Sequence, residues 1–167
     1  MAKVESFMDL FVHELSDLYN AEKQLTKALP KMAKAANDPQ LKKGFETHLK
    51  ETEGQIEILD QVFELCECKP ERVTCEAMKG LIEEGSEAID EFDEGPLRDV
   101  ALIIAAQKVE HYEIAGYGSM CALAEKLGLD EAVSLLRRIE EQEAATDKKL
   151  TQAAMTINEE AYKIAAE

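Results

Sequence analysis

The chain contains four long amphipathic segments, and each of them places one glutamate inside its apolar stripe. When each segment is drawn on a helical wheel of about 100° per residue, the apolar residues fall on one face and the glutamate falls among them. In chain order these glutamates are Glu22, Glu51, Glu110 and Glu143. An ionised carboxylate is costly to bury alone, so carboxylates that meet in a core need protons, cationic partners or a metal ion. The pattern therefore predicts a helix bundle with a metal site in its interior.

The second segment shows that this placement is selective. Glu51 and Gln55 share the arc of its apolar residues, whereas its other glutamates point away from that arc: Glu46, Glu53, Glu57 and Glu64. Glu51 thus differs from its neighbours in its position on the wheel and not in its residue type.

Composition is that of one folded domain and argues against two classes of partner. The 167 residues suffice for a single domain, 1–167, with a substantial core. Lys and Arg number 19 against 35 Asp and Glu, a net charge of −16 that argues against nucleic acid and anionic membranes as partners. The sequence has no apolar run of the roughly 18 residues needed to cross a bilayer, and it begins with an amphipathic segment instead of a targeting signal. We therefore expect a cytoplasmic protein.

The chain is predicted to be all α, with Ala, Leu, Glu and Lys dominating and no strand-like alternation. Breaks in the pattern place helices at 3–36, 40–67, 75–92, 96–127 and 130–148, with a tail beyond. Short links around Pro39 and Gly128 make two antiparallel hairpins. Residues 68–95 are enough to run the length of the bundle and carry the short extra helix. This is a ferritin-like four-helix bundle with one long crossover.

A weak internal repeat supports the two-hairpin arrangement. Glu22 precedes Glu51 by 29 residues, and Glu110 precedes Glu143 by 33. Each hairpin therefore brings together one carboxylate from each of its helices. A pair of iron or manganese ions is typically held by four or more carboxylates on opposing helices, which is the arrangement these spacings predict.

Five stretches of the chain resemble the YciF-type bacterial stress proteins, which have a ferritin-like bundle. They cover nearly the whole chain and read HELSDLYNAEKQLTKALPK, HLKETEGQIEILDQVFE, CEAMKGLIEE, RDVALIIAAQKVEHYEIAGYG and EEQEAATDKKL. The resemblance implies a homodimer, stress-linked expression and a di-metal centre, with two iron ions per subunit or manganese in their place.

A more distant resemblance, to rubrerythrin, extends the set of candidate ligands. Rubrerythrin carries Glu on its first helix, Glu-x-x-His on the second, Glu-x-x-Glu on the third and Glu-x-x-His on the fourth. Glu22 matches the first of these, and Glu110 with Glu113 matches the third.

The second and fourth helices depart from that pattern, because Gly54 and Thr146 stand where the histidines should be. The departure implies an oxygen-rich ligand set, with Gln55 one residue further along the second helix, and argues against rubrerythrin-like peroxidase chemistry. The candidate metal ligands are then Glu22, Glu51, Glu110, Glu113, Glu143 and Asp147.

The glutamates and two histidines have alternative interpretations. The glutamates are also compatible with a buried hydrogen-bonded network in which some are protonated, or with salt bridges to lysines. His111 points about 100° away from Glu110, which favours a place beside the ligands or on the surface. His48 lies one turn before Glu51 and either orients a ligand or is an ordinary core histidine.

For the tyrosines and cysteines we favour ordinary structural roles. Tyr19 and Tyr117 are compatible with redox activity or with hydrogen bonds to metal ligands, but we favour ordinary core packing for both. Cys66, Cys68 and Cys75 lack a nearby fourth zinc ligand, so we interpret them as reduced thiols.

Two functional hypotheses remain open. The first is a di-iron or manganese oxidoreductase that binds Fe(II) and reacts with oxygen or peroxide. The second is a non-catalytic dimeric helical stress protein with a vestigial or purely structural site. No catalytic residue is assigned, and the sequence shows no phosphate-binding loop, nucleophile–base pair or organic substrate pocket.

Overall fold

The computed structural model describes residues 4–165, which form five α-helices and no strand. The helices are α1 (Phe7–Ala35), α2 (Pro39–Leu65), α3 (Glu76–Glu91), α4 (Pro96–Leu127) and α5 (Asp130–Ala165). The all-α prediction and the order of four long helices with one short crossover helix are confirmed.

Capping residues explain where the helices begin and end. Ser6 and Asp9 form a capping box in which each side chain accepts a hydrogen bond from the backbone of the other. Asp38 caps α2, and Pro39 occupies the first turn of that helix. Gly128 ends α4 with a φ of 73°, a left-handed conformation that favours glycine.

Two predicted helix boundaries differ from the structure by more than two residues. The first helix begins at Phe7 because Ser6 caps it, and residue 3 lies outside the described residues. The fourth long helix does not end at 148 but continues to Ala165. Beyond 148 there is no Gly or Pro to break the helix, and Leu150, Ile157 and Ala161 continue its buried stripe.

The helices pack as two hairpins joined side by side. α1 packs against α2 and α4 against α5, while α1 also contacts α4 and α2 contacts α5. The short crossover helix α3 lies against α1 and α4. No helix within residues 4–165 is long and apolar enough to span a membrane.

The apolar interior consists of two clusters rather than one. Core A includes Leu25, Leu29, Met32, Phe45, Leu102 and Leu150. Core B includes Phe11, Leu15, Leu59, Phe63, Met120 and Leu136. Each long helix contributes to both cores, with a short buried polar stretch between the two contributions. The polar stretches of the four helices therefore form one layer across the middle of the bundle.

One buried carboxylate joins the two hairpins at the end of the bundle. Asp99, in the first turn of α4, accepts hydrogen bonds from the backbone N–H groups of Asn37 at 2.7 Å and Asp38 at 2.8 Å. Its side chain is almost fully buried. The contact holds the α1–α2 link against the start of α4.

Asp99→Ala should destabilise the protein, because it leaves two buried N–H groups without an acceptor. We expect the free energy of unfolding to fall by about 3 kcal/mol, as for two hydrogen bonds to a charged group. Urea denaturation measures it. Asp99→Asn keeps one acceptor oxygen and should lose about half as much, while the exposed Asp93→Ala should change little. Equal stability of the Ala variant and the parent would contradict this role.

Candidate metal centre

A layer of buried polar side chains separates core A from core B. It contains Glu22, His48, Thr52, Gln55, Glu110, Glu113, Glu143 and Thr146. Ten buried side-chain nitrogen and oxygen atoms within residues 4–165 have no hydrogen-bond partner, and all ten belong to these eight residues. Buried polar atoms in native proteins are almost always partnered. The layer therefore contains buried donors and acceptors that could hold a metal ion.

Four of these side chains bring ligand atoms to a single point. One donor atom each from His48, Glu110, Glu113 and Glu143 lies within 4.8 Å of the other three. Ligand atoms at 2.0–2.2 Å from an ion can be at most about 4.4 Å apart on opposite sides of it. The four donors therefore need only a small adjustment to surround one ion.

Helical spacing explains how three helices supply these ligands. Glu110 and Glu113 are three residues apart on α4, so both carboxylates project from the same face. His48 and Glu51 have the same spacing on α2. Glu143 reaches the group from α5, the helix that packs against both α2 and α4.

Glu22 enters the layer from α1 and is held by a tyrosine. The hydroxyl of Tyr117 donates a hydrogen bond to Oε1 of Glu22, while Oε2 has no partner. Burial raises the pKa of Glu22 to about 7, although the Tyr117 hydrogen bond and the charge of His48 oppose the increase. Glu22 also lies close enough to Glu113 for the two carboxyl groups to interact.

The pKa values of two further glutamates lie well above their usual range. For Glu113 the cause is burial, followed by the negative charge of Glu22. For Glu143 it is burial, followed by its interactions with Glu110. Gln55 donates a hydrogen bond from Nε2 to Oε1 of Glu143 and so fixes the orientation of this carboxylate. Glu113 and Glu143 therefore hold their protons to a higher pH than exposed glutamates do.

His48 lies among the carboxylates and is their only basic neighbour within the layer. Its Nε2 is 3.1 Å from Oε1 of Glu110 and 3.8 Å from Oε2 of Glu143, and its Nδ1 is 3.7 Å from Oε2 of Glu51. Burial alone would lower the pKa of His48, but the contacts with Glu110 and Glu51 raise it well above 6.5. A metal ion in the same position would take the place of the imidazole proton.

Glu51 lies at the edge of the layer, with 28% of its side chain exposed. Its carboxylate faces His48 on one side and Lys149 Nζ, 3.7 Å away, on the other. The His48 contact, assisted by Lys149, lowers the pKa of Glu51 below its usual value despite partial burial. Glu51 is thus the candidate ligand that remains ionised at the outer side of the group.

The structure does not bring Asp147 into the group of four. Its carboxylate accepts a hydrogen bond from Nε2 of Gln107 at 3.0 Å and lies 3.4 Å from Nε2 of the exposed His111. Asp147 therefore belongs to a polar patch on the outer side of α4 and α5, and His111 is a surface residue.

Sequence reasoning missed His48 as a candidate ligand and underestimated Tyr117. The signal for His48 was its position three residues before Glu51, which reverses the Glu-x-x-His order of the rubrerythrin pattern. For Tyr117 the packing interpretation is incomplete, since its buried hydroxyl bonds to Glu22. Tyr19 packs edge-on against Phe63, and its hydroxyl donates to Asp60.

Cys66, Cys68 and Cys75 do not take part in the one group of potential metal ligands found within residues 4–165. All three are free thiols. Burial raises the pKa of each above its usual value, which disfavours thiolate chemistry. Cys75 caps α3 through its sulfur and lies 2.9 Å from the hydroxyl of Tyr112.

Comparison with known proteins places the chain in a family. Residues 6–162 match the family described as a domain of unknown function, DUF892. The chain belongs to the DUF892 family. The description of the family names no activity.

Similar proteins confirm both the resemblance and the fold. Protein YciF of Escherichia coli K12 is 52% identical over 153 residues, which are 91% of this chain and 92% of YciF. The crystal structure of the E. coli stress protein YciF matches with a TM-score of 0.91 and 51% identity, covering 93% of this chain and 98% of that one.

Two further solved structures are similar. YcfI of Rhodopseudomonas palustris, for which a structural role has been suggested, is 45% identical with a TM-score of 0.86, over 89% of this chain and 95% of that one. A protein from Xanthomonas campestris has a TM-score of 0.76 at 21% identity, over 97% of this chain and all of that one, and shows the fold alone.

The metal-free protein should lose stability as the pH rises from 5 to 8. The pKa of Glu22 is about 7 when folded against 4.5 when unfolded, so the native state holds more protons in this window. Stability therefore falls with rising pH between these two values. The raised pKa of His48 acts in the same direction, because its stabilising charge is lost as the pH passes its folded value.

Glu22→Gln should remove part of this pH dependence. In the presence of chelator we expect the variant to exceed the parent in unfolding free energy by roughly 1–3 kcal/mol at pH 8 and to match it near pH 5. Urea denaturation across the range measures both, with the exposed Glu53→Gln as the control. A parent stability that is flat or rises toward pH 8 would contradict the buried-acid account.

Proposed function

We propose that this chain holds a pair of iron ions, or manganese in their place, within the bundle and oxidises Fe(II) with oxygen or peroxide. The observation that supports this proposal is the convergence of four buried ligand atoms within 4.8 Å of one another, in a layer where ten polar atoms lack partners. A carboxylate-rich set with one imidazole suits iron and manganese.

Charge supports two ions rather than one. Four buried carboxylates face a single imidazole in this layer, and such a group is stable only when protons or cations neutralise it. Two divalent cations carry the charge that balances four carboxylates. Glu22 beside Glu113 and Glu51 beside His48 extend the donor set on either side of the central group.

The residues divide into those that would hold the metal and those that orient them. Glu110, Glu113, Glu143 and His48 would hold it centrally, with Glu22 and Glu51 at the flanks. The hydroxyl of Tyr117 orients Glu22, and the amide of Gln55 orients Glu143. A bound iron pair supplies one-electron and two-electron redox chemistry toward oxygen or peroxide. Cores A and B exclude bulk water from above and below the layer.

A structural role for the layer is the second candidate. The hydrogen bonds from Tyr117 to Glu22 and from Gln55 to Glu143 support this alternative, because they give part of the layer partners from within the chain. The suggestion of a structural role for the R. palustris relative points the same way. In this case the protein acts by association, and the layer specifies helix register alone.

We also propose that the protein forms a homodimer through the exposed side of α4 and α5. The side chain of Gln107 on α4 donates a hydrogen bond to the hydroxyl of Thr151 on α5. Because the two helices are antiparallel, Ile104, one turn before Gln107, lies at the same level as Met155, one turn after Thr151. Ile104 and Met155 are both exposed. So are Leu97, seven residues before Ile104, and Tyr162, seven residues after Met155. A face of large apolar side chains at this spacing is suited to a twofold contact.

Metal binding should stabilise the native protein by mass action. When Mn(II) or Fe(II) exceeds its dissociation constant 100-fold, we expect a gain of about 2.7 kcal/mol and a rise in melting temperature of roughly 5–10 °C. Differential scanning calorimetry under anaerobic conditions measures it. Glu110→Ala should abolish the rise, whereas the exposed Glu53→Ala should retain it. An equal rise in both variants would indicate binding to the acidic surface.

Iron oxidation should depend on residues of the layer. After anaerobic loading with Fe(II), oxygen or peroxide should oxidise the iron faster in the presence of protein than in buffer, as followed by the absorbance of the ferric product. We expect Glu22→Ala and Glu143→Ala to reduce the rate at least tenfold. Rates equal to those of free iron, in protein that is folded and binds metal, would favour the structural alternative.

Charge placed on the proposed dimer face should separate the subunits. The double variant Ile104→Lys, Met155→Lys should run at the monomer mass in light scattering after gel filtration, while the parent runs at twice that mass. Leu65→Lys, an exposed apolar position at the end of α2, is the matched control. A parent that is monomeric, or a double variant that remains dimeric, would show that this face does not form the dimer.

A further inference from the structure

Two thiols lie next to each other where α2 ends. Cys66 is the C-cap residue of α2, and Cys68 follows two residues later at the start of the crossover segment. Both are free and half-buried, and both pack against core B. The other two cysteines, Cys75 at the start of α3 and Cys121 on α4, are buried. We call Cys66 and Cys68 the thiol pair.

The backbone of the turn brings these two thiols together. The N–H of Cys68 donates a hydrogen bond to the carbonyl of Phe63 at 3.0 Å, and Glu67, between the two cysteines, has a φ of 52°. Among residues 4–165, Glu67 is the one non-glycine residue with a positive φ. This left-handed conformation is strained for a glutamate and persists only where surrounding contacts hold it. In this turn the thiols of Cys66 and Cys68 are close enough to interact.

The thiol pair offers a metal ion two sulfur atoms. The one group of three or more potential His, Cys, Asp and Glu ligands found within residues 4–165 lies in the polar layer and includes neither thiol. Structural zinc sites need four ligands, and manganese prefers oxygen donors. Thiolates select soft ions, and Cu(I) is the soft biological ion for which two thiolates suffice.

Competition with protons adds to this selectivity. Burial raises the pKa of Cys66 to about 11, and the charge of Cys68 adds to the increase. Burial also raises the pKa of Cys68. A metal ion has to displace both protons, because the thiolate is the form that binds metals. At neutral pH the protons therefore compete well against weakly thiophilic ions such as Mn(II), and poorly against Cu(I).

We propose that the thiol pair binds one Cu(I) ion. The ion replaces the two thiol protons, which pass to solvent, and the two thiolates hold it in a complex with one negative charge. No electron is transferred. The site is independent of the proposed function, because it lies at the end of α2 and uses none of the residues of the polar layer.

Anaerobic titration of the reduced, full-length protein with Cu(I) tests the proposal. Bicinchoninate, a Cu(I) chelator, serves as the competitor, and thiolate-to-copper absorption in the ultraviolet reports binding through sulfur. We expect one Cu(I) per chain to resist the competitor, with release of two protons. Cu(I) should also protect both thiols of the pair from alkylation, whereas Zn(II) at the same concentration should protect neither.

Three cysteine variants assign the binding to the thiol pair. Cys66→Ser and Cys68→Ser should each reduce Cu(I) affinity at least hundredfold, because a single thiolate remains. Serine is similar in size to cysteine and both positions are half-buried, so the two variants should fold. Cys121→Ser removes a thiol outside the pair and is the matched control, with an affinity within twofold of the parent.

Two substitutions between the thiols test the turn itself. Glu67→Gly keeps the φ of 52° accessible and should bind Cu(I) within threefold of the parent. Glu67→Pro fixes φ at about −65° and should reduce the affinity at least tenfold. Equal affinities of these two variants would show that the turn does not bring the thiols together and would overturn the proposal.

The remaining outcomes separate this proposal from the metal centre in the polar layer. Loss of all Cu(I) to bicinchoninate, parent-like affinity in the serine variants, or equal protection by Zn(II) would each overturn the thiol-pair site alone. Cys66→Ser should retain the full effect of Mn(II) on the melting temperature. Cu(I) binding by a parent that Mn(II) does not stabilise would support the thiol pair and count against the metal centre.

Discussion

The burial of several carboxylates in one layer is the constraint on which the rest of this structure depends. Glu22, Glu110, Glu113 and Glu143 are each almost fully buried, and His48 is buried among them. Their charges can be removed from water only if protons or cations neutralise them. All four long helices contribute to the layer, so each has to present its polar residues at the same height in the bundle. The requirement fixes the register of the helices, because a shift of one residue would rotate a glutamate by about 100°.

The same layer accounts for the division of the interior into two apolar cores. Core A and core B each pack with ordinary side chains, and the layer between them holds the unpartnered polar atoms of the described chain. Tyr117 donates a hydrogen bond to Glu22, and Gln55 donates one to Glu143. These contacts hold the two carboxylates in position. An opening between α2 and α5, lined by His48, Glu51, Glu110 and Thr146 among others, leads from this layer to the surface. A buried, oriented and accessible donor set is what a metal site requires.

The fold was predictable from the sequence because it depends on local signals. Apolar stripes define the helices, and Pro39 and Gly128 mark the short links. The extent of α5 was not predictable in the same way, since no breaker ends it and tertiary burial of Ile157 keeps it helical. The positions of Glu22, Glu110 and Glu143 in the interior were predictable, because the helical wheel shows which face of a helix a residue occupies. Contacts between residues that are far apart in the sequence were not predictable. The partner of Tyr117 is 95 residues away along the chain, and no periodicity reveals it.

Anomalous diffraction from crystals of the iron-loaded protein, measured on both sides of the iron absorption edge, would show whether the polar layer binds two iron ions. We expect two anomalous peaks in the layer, about 3.5–4 Å apart as in two-metal sites, with His48, Glu110, Glu113 and Glu143 as ligands. We also expect Glu22 and Glu51 to complete the two sites from either side. Iron bound at the surface, or no peak in the layer of a crystal soaked to saturation, would contradict the proposal of an iron pair in this layer.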